Sequence, residues 1–212
     1  MKCCVIGLGR FGYSVATKLA EQGADVLAVD SNESIINSIK DLVTQAVCLR
    51  VADEEALKHI GVEEVETVVV GIGENFAQSI LITALLKQRL NVPNVIVRSI
   101  SAIHRDILVL VGADHVILPE QEMGIRLADQ ISLTHSNFVR ITDHFSVSYY
   151  QVPERFVNRT VRDLDFERYS ISLIGKKVGE DVVAIAPDAR IEADDVLIFA
   201  GPNKQLEKLE QL

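Results

Sequence analysis

The residues best suited to chemistry form a glycine-rich loop close to the start of the chain. The loop consists of Gly7, Leu8, Gly9, Arg10, Phe11 and Gly12, and it lies between a short apolar run and a segment with helical spacing. In that context the first glycine permits a tight turn, the second lets a pyrophosphate approach the backbone, and the third lets helix and strand pack closely. The N–H groups at the helix start would then face the phosphates, so the loop predicts an adenine-nucleotide site.

An acidic residue stands where a ribose-binding carboxylate is expected. Asp30 ends the second predicted strand, 18 residues after Gly12, and the usual spacing is about 20. Its carboxylate would accept hydrogen bonds from ribose hydroxyls and repel a 2′-phosphate, which favours NAD, ATP, ADP or AMP over NADP. The alternative is that Asp30 only precedes a helix that begins at Ser31 or Asn32.

A positive charge, Arg10, lies inside the loop itself. A guanidinium group over the phosphates could bind a third phosphate or reach the ligand of a neighbouring subunit. The alternative is a solvated arginine in the first helical turn, a position that the helix dipole disfavours. Arg10 therefore shifts the prediction from a dinucleotide towards a triphosphate.

Other candidates follow the remaining predicted strands, because open α/β sheets bind ligands at the carboxyl ends of their strands. Residues 51–53 could flank an adenine, and the glycines after strand four leave room for a ligand. Charged side chains end strand five and follow strand six, where surface charge and helix capping are the alternatives. The further candidates for the nucleotide site are Ser31, Asn32, Val51, Ala52, Asp53, Gly71, Ile72, Gly73, Asn75, Arg98, His104 and Glu120.

The elements that must position these residues alternate between strands and helices through residue 134. Apolar runs predict six strands, at 3–6, 24–29, 45–49, 66–70, 95–98 and 115–118. Helical spacing predicts intervening helices, among them 11–21, 53–60, 75–90 and 102–111, and Pro119 breaks the pattern before a last helix at 120–132. This alternation predicts a Rossmann-type, doubly wound parallel sheet of six strands.

The remainder of the chain predicts a smaller α+β domain. Short strand-like runs at 145–152, 170–174, 182–185 and 196–199 are separated by Gly, Pro and Asp. One helical turn is predicted at 160–164 and a final helix at 203–211. We place the boundary in a polar stretch at 133–144 and predict domains at 1–134 and 135–212.

Composition excludes several classes of protein. The 212 residues carry a net charge of −9, so neither nucleic-acid binding nor a polybasic membrane anchor is expected. No unbroken apolar run exceeds five residues, as at 107–111, which is far shorter than the ~20 residues that span a bilayer. The three cysteines, Cys3, Cys4 and Cys48, have no C-x-x-C spacing and are expected to be reduced thiols buried in strands. A cytoplasmic protein is predicted.

The sequence lacks the residues that a reaction would need. Its five histidines are scattered, and the glycine loop has no Walker lysine. We therefore predict a ligand-responsive module rather than an enzyme. Two alternatives stay open, a small NAD-dependent oxidoreductase with His104 as its proton-transfer group and an NADH-sensing interaction protein. The helices at 76–86 and 103–111 are more apolar than one sheet face requires, which indicates subunit interfaces or additional core packing.

Several motifs together resemble one family. The segments 5–12 and 26–30 resemble the RCK (TrkA-N) domain of potassium-channel regulators, and residues 72–75, 112–120 and 123–124 extend the match. Residues 161–165 and 195–201 resemble the companion TrkA-C domain. One domain of each kind is similar to the cytosolic regulatory subunit of Ktr/Trk-type potassium uptake systems.

That resemblance implies how the chain works. Such subunits form homodimers that assemble into a ring, commonly an octamer, on the cytoplasmic face of the membrane beneath a transmembrane potassium-translocating subunit. ATP or ADP, and in some members NAD or NADH, bind the glycine loop and control gating. By the same resemblance, Arg10 reaches the γ-phosphate across the dimer, Glu120 helps to hold a divalent or sodium ion, and Arg98 is the basic residue that ends strand five.

A second ligand is left open. Some members bind cyclic di-AMP between paired TrkA-C domains. Here the segment 167–169 is one residue shorter than the family pattern, and Ala193 replaces a glycine that often precedes the aspartate.

Overall fold

The computed structural model describes residues 1–73, 75–132, 138–142 and 144–211. Its contacts divide the chain into two compact units, Met1–Glu122 and Met123–Leu212. The predicted boundary between residues 134 and 135 lies outside the described residues. No helix in the described ranges is both long and apolar enough to cross a membrane.

Six parallel strands form the sheet of the N-terminal unit, in the order β3-β2-β1-β4-β5-β6. The strands are β1 (Lys2–Ile6), β2 (Asp25–Asp30), β3 (Gln45–Cys48), β4 (Thr67–Val70), β5 (Asn94–Arg98) and β6 (His115–Ile117). The order reverses between β1 and β4, and ligands bind at such a switch point in open sheets. The predicted fold class is confirmed.

Six helices accompany these strands: α1 (Arg10–Glu21), α2 (Glu33–Ile39), α3 (Glu54–His59), α4 (Phe76–Ala84), α5 (Ala102–Leu110) and α6 (Pro119–Ser132). The helix predicted at 75–90 is α-helical only to Ala84 and continues as a π-helical segment, Leu85–Arg89. The last helix, predicted at 120–132 after Pro119, is present and includes Pro119 as its first residue, because the fixed φ of proline suits the first helical position and its missing N–H is not needed there.

Apolar clusters cover both faces of this sheet. Side chains of a strand alternate between faces, so Cys3 and Val5 join one cluster while Cys4 and Ile6 join the other. Burial raises the pKa of the Cys4 thiol, as expected for an apolar surrounding. The prediction of buried cysteines is wrong for Cys48, which is exposed because β3 is an edge strand.

The C-terminal unit is built on an antiparallel sheet in the order β10-β9-β11-β8-β7. Its strands are β7 (Phe138–Thr142), β8 (Phe145–Gln151), β9 (Ser172–Val178), β10 (Asp181–Val183) and β11 (Val196–Pro202), and its helices are α7 (Val161–Leu164) and α8 (Asn203–Leu206). The smaller α+β domain is confirmed. Strand β7 was missed, because it lies inside the stretch that was assigned to a linker. The final helix is shorter than predicted and continues as a 3-10 turn, Glu207–Gln211.

A partly buried ion pair ties β9 to the turn before β11. Asp195 Oδ1 lies 2.8 Å from Lys176 Nζ, and Asp195 Oδ2 accepts the Glu192 N–H at 3.0 Å. Burial alone would raise the pKa of the Asp195 carboxyl, but the bonds from Lys176 and Glu192 together hold it below its ordinary value. The carboxylate raises the pKa of Lys176 in turn.

Asp195→Ala is therefore expected to destabilise the C-terminal unit by about 2 kcal/mol, because the partly buried Glu192 N–H loses its acceptor and the Lys176 ammonium loses its carboxylate. The pH dependence has two limits. The contribution of the Asp195 carboxylate to the free energy of unfolding is complete above its unfolded pKa of about 3.9, and it is lost as the pH falls through the lower folded pKa. The contribution of Lys176 is complete below its unfolded pKa of about 10.4, and it is lost as the pH rises through the raised folded pKa. Urea unfolding between pH 2 and 11 measures both limits.

The control is Asp194→Ala, which removes an exposed neighbour of Asp195. It is expected to change the free energy of unfolding by less than about 0.5 kcal/mol. Equal losses for both variants would show that the ion pair contributes nothing specific.

Candidate nucleotide-binding site

The glycine loop lies at the sheet's switch point, between the end of β1 and the start of α1. Gly7 has φ +89°, a left-handed conformation that favours glycine, and its N–H donates to Val29 O at 2.8 Å. On the other side, the Gly71 N–H donates to Ile6 O at 2.8 Å. The loop is therefore held between the ends of β2 and β4.

Three backbone segments meet at the carbonyl oxygen of Gly7. A Cβ at Gly12 would overlap this oxygen, and a Cβ at Gly71 would lie 2.6 Å from it. The close approach predicted for Gly12 is therefore present. Gly9 differs, because its Cβ would meet no described heavy atom within 4 Å and the residue is exposed. Among the three glycines of the loop, Gly9 is the one with open space beside it, as far as the described residues show.

The start of α1 is also chemically distinct. Side chains accept hydrogen bonds at the first turns of α2 to α5, whereas Gly9 precedes α1 and supplies no capping side chain. The first N–H with an α-helical acceptor is that of Tyr13, which donates to Gly9 O at 2.9 Å. The N–H groups of Arg10, Phe11 and Gly12 precede it and have no acceptor within the helix, so they can bind an anion.

The Asp30 carboxylate lies beside this loop. Its Oδ2 accepts the Leu8 N–H at 2.7 Å and its Oδ1 accepts the Asn32 N–H at 2.8 Å. A carboxylate oxygen can accept more than one hydrogen bond, so both oxygens keep capacity for hydroxyl groups. The residue that caps α2 is Asn32, through its Oδ1 and the Ser34 N–H, and Ser31 is exposed.

Three candidates carry out structural tasks in this structure. Asp53 caps α3 by accepting the Ala56 N–H, and Asn75 caps α4 by accepting the Gln78 N–H. The Val51 side chain belongs to the core, and its carbonyl accepts the Gln78 side-chain amide at 2.9 Å. Sequence reasoning missed Gln78, which joins the loop after β3 to α4, because an amide in an apolar helix carries no pattern that predicts such a bond. Ala52 is exposed.

The segment after β4 connects the glycine loop to a charged pair. A Cβ at Gly7 would lie 2.7 Å from Ile72 Cγ1, and a Cβ at Gly73 would overlap the Arg98 guanidinium. Arg98 Nη2 donates to Glu120 Oε1. The pKa of Glu120 is held below its ordinary value, first by its own backbone N–H and then by Arg98. The structure therefore brings these predicted site residues together, but two of them bind each other.

His104 is turned into the interior. Its Nδ1 accepts the Ile100 N–H at 3.4 Å, and its Nε2 lies 3.3 Å from Ser79 Oγ on α4. The ring packs edge-on against Phe76, with centroids 5.9 Å apart. Burial lowers the pKa of the imidazole, so it is neutral at pH 7. Since both nitrogens have protein partners, we leave His104 out of the proposed ligand contacts and assign it to the packing of α4 against α5.

The residues fit a nucleotide better than a protein-only metal site. In the described part of the chain, no group of three or more His, Cys, Asp or Glu side chains could hold a metal ion. Magnesium, however, is commonly held by one or two carboxylates together with substrate phosphates. Glu120 could act in that way only beside a bound polyphosphate.

Six parallel strands with a glycine loop at the switch point and an acidic residue ending β2 define a nucleotide-binding fold of Rossmann type. A sequence model described as the TrkA-N domain matches residues 3–119, and one described as the TrkA-C domain matches residues 148–212. The chain belongs to the family of proteins built from these two domains, and the predicted resemblance is confirmed.

Two relatives that match nearly the whole chain are potassium uptake proteins. It is 33% identical to Ktr system potassium uptake protein A of Bacillus subtilis (strain 168), over 97% of this chain and 94% of that protein. It is 34% identical to Ktr system potassium uptake protein C of the same organism, over 98% and 95%.

Solved structures agree on the fold. The GsuK channel bound to NAD matches 99% of this chain with a TM-score of 0.59 and 17% identity, and this chain covers 38% of that channel. The same channel bound to ADP matches 61% of this chain and 33% of its own length, with a TM-score of 0.54 and 20% identity.

Proposed function

We propose that this chain is a nucleotide-sensing regulatory subunit of a potassium transport system. The observation that carries the proposal is the uncapped start of α1 beside the Asp30 carboxylate, in a chain that matches Ktr potassium uptake proteins over nearly its whole length. Phosphates would bind the free N–H groups of α1 and approach at Gly9. The ribose hydroxyls would bind Asp30, and residues 51–53 would flank the adenine.

The proposed ligands are ATP and ADP, with NAD and NADH as the alternative pair. Arg10 is exposed in the first turn of α1, which suits a contact to a third phosphate in the same subunit or in its dimer partner. A divalent or sodium ion near the phosphates would bind Glu120. A ligand controls a conformational equilibrium only through its different affinities for the two states, so the γ-phosphate would supply the difference between ATP and ADP.

Assembly with further copies is part of the proposal. Apolar side chains of α4 and α5 are buried on the sheet side, yet both helices carry others that are exposed, with Ile103 at 75% and Leu110 at 84%. The remaining exposed members are Phe76, Leu81 and Val109. Such a surface suits a homodimer, and dimers would form the ring, expected to be an octamer, beneath a transmembrane potassium-translocating subunit at the cytoplasmic membrane face.

We do not propose an enzyme. An oxidoreductase needs a proton-transfer group beside the cofactor, and the candidate for that role, His104, has both ring nitrogens bonded within the protein. An NADH-sensing protein with no role in potassium transport would share the same pocket and is tested by the same ligands.

The test is a thermal-shift and calorimetric comparison of ATP, ADP, NAD, NADH, NADPH and cyclic di-AMP. We expect ATP and ADP to stabilise the protein, by about 2.7 kcal/mol when the ligand is at 100 times its Kd, and NADPH to have no effect. Failure of both ATP and ADP would contradict the nucleotide switch as stated. A shift with NADH alone would favour the redox sensor, and substrate-dependent loss of NADH absorbance would favour the oxidoreductase.

A further inference from the structure

The Arg98 guanidinium is packed against the backbone and only partly paired. It lies so close to Gly73 that no Cβ would fit there, and its side chain is 21% exposed. Nη2 donates to Glu120, but Nε is buried and has no hydrogen-bond partner among the described residues. A carboxylate that filled both positions would bind as a fork, and Glu120 does not do so.

The anion that pairs with Arg98 is the more mobile partner. Glu120 is 68% exposed and lies in the first turn of α6, where its carboxylate also accepts its own backbone N–H. It can therefore turn towards solvent at little cost to itself, but Arg98, whose side chain is only 21% exposed, then needs another anion. An ion pair with one partner this exposed contributes little stability, so a phosphate that binds Arg98 through more than one nitrogen can replace it.

We propose that Glu120 is a replaceable anion for Arg98: the carboxylate holds the guanidinium while the glycine loop is empty, and a nucleotide phosphate takes its place. This rests on the proposed function. The segment from Gly71 to Gly73 connects the glycine loop to Arg98, because it lies against the Gly7 carbonyl at one end and against the Arg98 guanidinium at the other. A guanidinium that moves off Gly73 presents Nε and Nη2 together, the arrangement that matches two phosphate oxygens.

Exchange also removes a repulsion. A polyphosphate at the glycine loop would face the Glu120 carboxylate with like charge, and release from Arg98 lets that carboxylate turn away or bind the cation that accompanies the phosphates. Glu120 would then oppose binding when no divalent cation is present and support it when one is. Opening of the ion pair between Arg98 and Glu120 would therefore make nucleotide affinity depend on the concentration of divalent cations.

The test is a double-mutant cycle on ATP affinity, measured by calorimetry in buffer with EDTA. Glu120→Gln is expected to bind ATP two- to five-fold more tightly than the wild type, roughly what loss of an exposed ion pair yields. Arg98→Gln is expected to bind at least about tenfold more weakly. In the Arg98→Gln background, Glu120→Gln should change the affinity by less than about twofold, because no guanidinium is left to release.

Glu122→Gln is the matched control. Glu122 is exposed on the same helix and accepts the Leu118 N–H at 3.3 Å, away from Arg98, so its change should not affect ATP affinity. If Glu120→Gln raised ATP affinity equally in the wild type and in Arg98→Gln, the carboxylate would simply repel the phosphates. If it raised ATP affinity in neither, the carboxylate and the phosphates would not compete for Arg98. Either result overturns the exchange. If the wild type binds no nucleotide in any buffer, the proposed function fails and the exchange fails with it, which the wild-type titration alone reveals.

Discussion

Replacing Gly12 with alanine is expected to destabilise the N-terminal unit by about 3 kcal/mol and to remove nucleotide binding. The added Cβ would overlap the carbonyl oxygen of Gly7 and lie 3.1 Å from the carbonyl carbon of the same residue, while the nearest side-chain atom, Val5 Cγ1, lies 3.5 Å away. Since the overlap is with backbone and not with the end of a flexible side chain, α1 must move away from the end of β1. The expected loss of stability is therefore at the upper end of what overpacking costs. Urea unfolding measures the loss of stability, and calorimetry with ADP measures the loss of binding.

Gly9→Ala is the matched variant, because it adds the same methyl group three residues earlier. Its Cβ meets no described atom within 4 Å, and φ is −63°, which alanine adopts without strain. We expect unchanged stability but at least about tenfold weaker ADP binding, since the methyl group occupies the space where phosphates approach. Unchanged affinity in Gly9→Ala would show that phosphates bind elsewhere, and a Gly12→Ala protein of wild-type stability would contradict the packing argument.

The features that sequence reasoning predicted correctly depend on residues that are close together along the chain. The glycine loop occupies six consecutive positions and Asp30 ends the next strand, so their neighbourhood follows from a single β-α-β connection. Alternation of apolar runs with helical spacing was sufficient for the six-stranded sheet. Strand β7 was missed because it lies within a polar stretch of the sequence, so its pairing with β8 and not its own pattern determines its structure.

The side-chain pairing within the site was beyond such reasoning. β5 pairs with β6 through Arg98 and Ile117, which places Glu120 three residues further on within reach of the guanidinium. The sequence placed both residues at the ligand edge but could not show that they bind each other. The same limit applies to His104, since helical spacing does not reveal whether a residue at the start of α5 faces the ligand or α4. Packing across elements, and not spacing along the chain, decides these cases.

Asp30→Ala is expected to have the second large effect, because one carboxylate serves both the fold and the proposed ligand. Its loss leaves the N–H of buried Leu8 without an acceptor and destabilises the N-terminal unit by about 2 kcal/mol. Hydrogen bonds to a charged group contribute about 1.5–3 kcal/mol, so affinity for ADP should fall roughly 10- to 100-fold. Calorimetry with ADP and urea unfolding separate the two losses.

Asp30→Asn tests the charge itself. The amide keeps an oxygen that can accept one of the two N–H groups, so we expect this variant to be more stable than Asp30→Ala. The substitution removes the negative charge that should repel a 2′-phosphate. The wild type should prefer ADP to adenosine 2′,5′-bisphosphate, and in Asp30→Asn the ratio of the two affinities should be about tenfold smaller. Asp25→Asn, at the exposed opposite end of β2, is the control and should bind both ligands as the wild type does. If Asp30→Asn discriminates as strongly as the wild type, the carboxylate does not face the 2′ position, and the ribose must bind at another strand end.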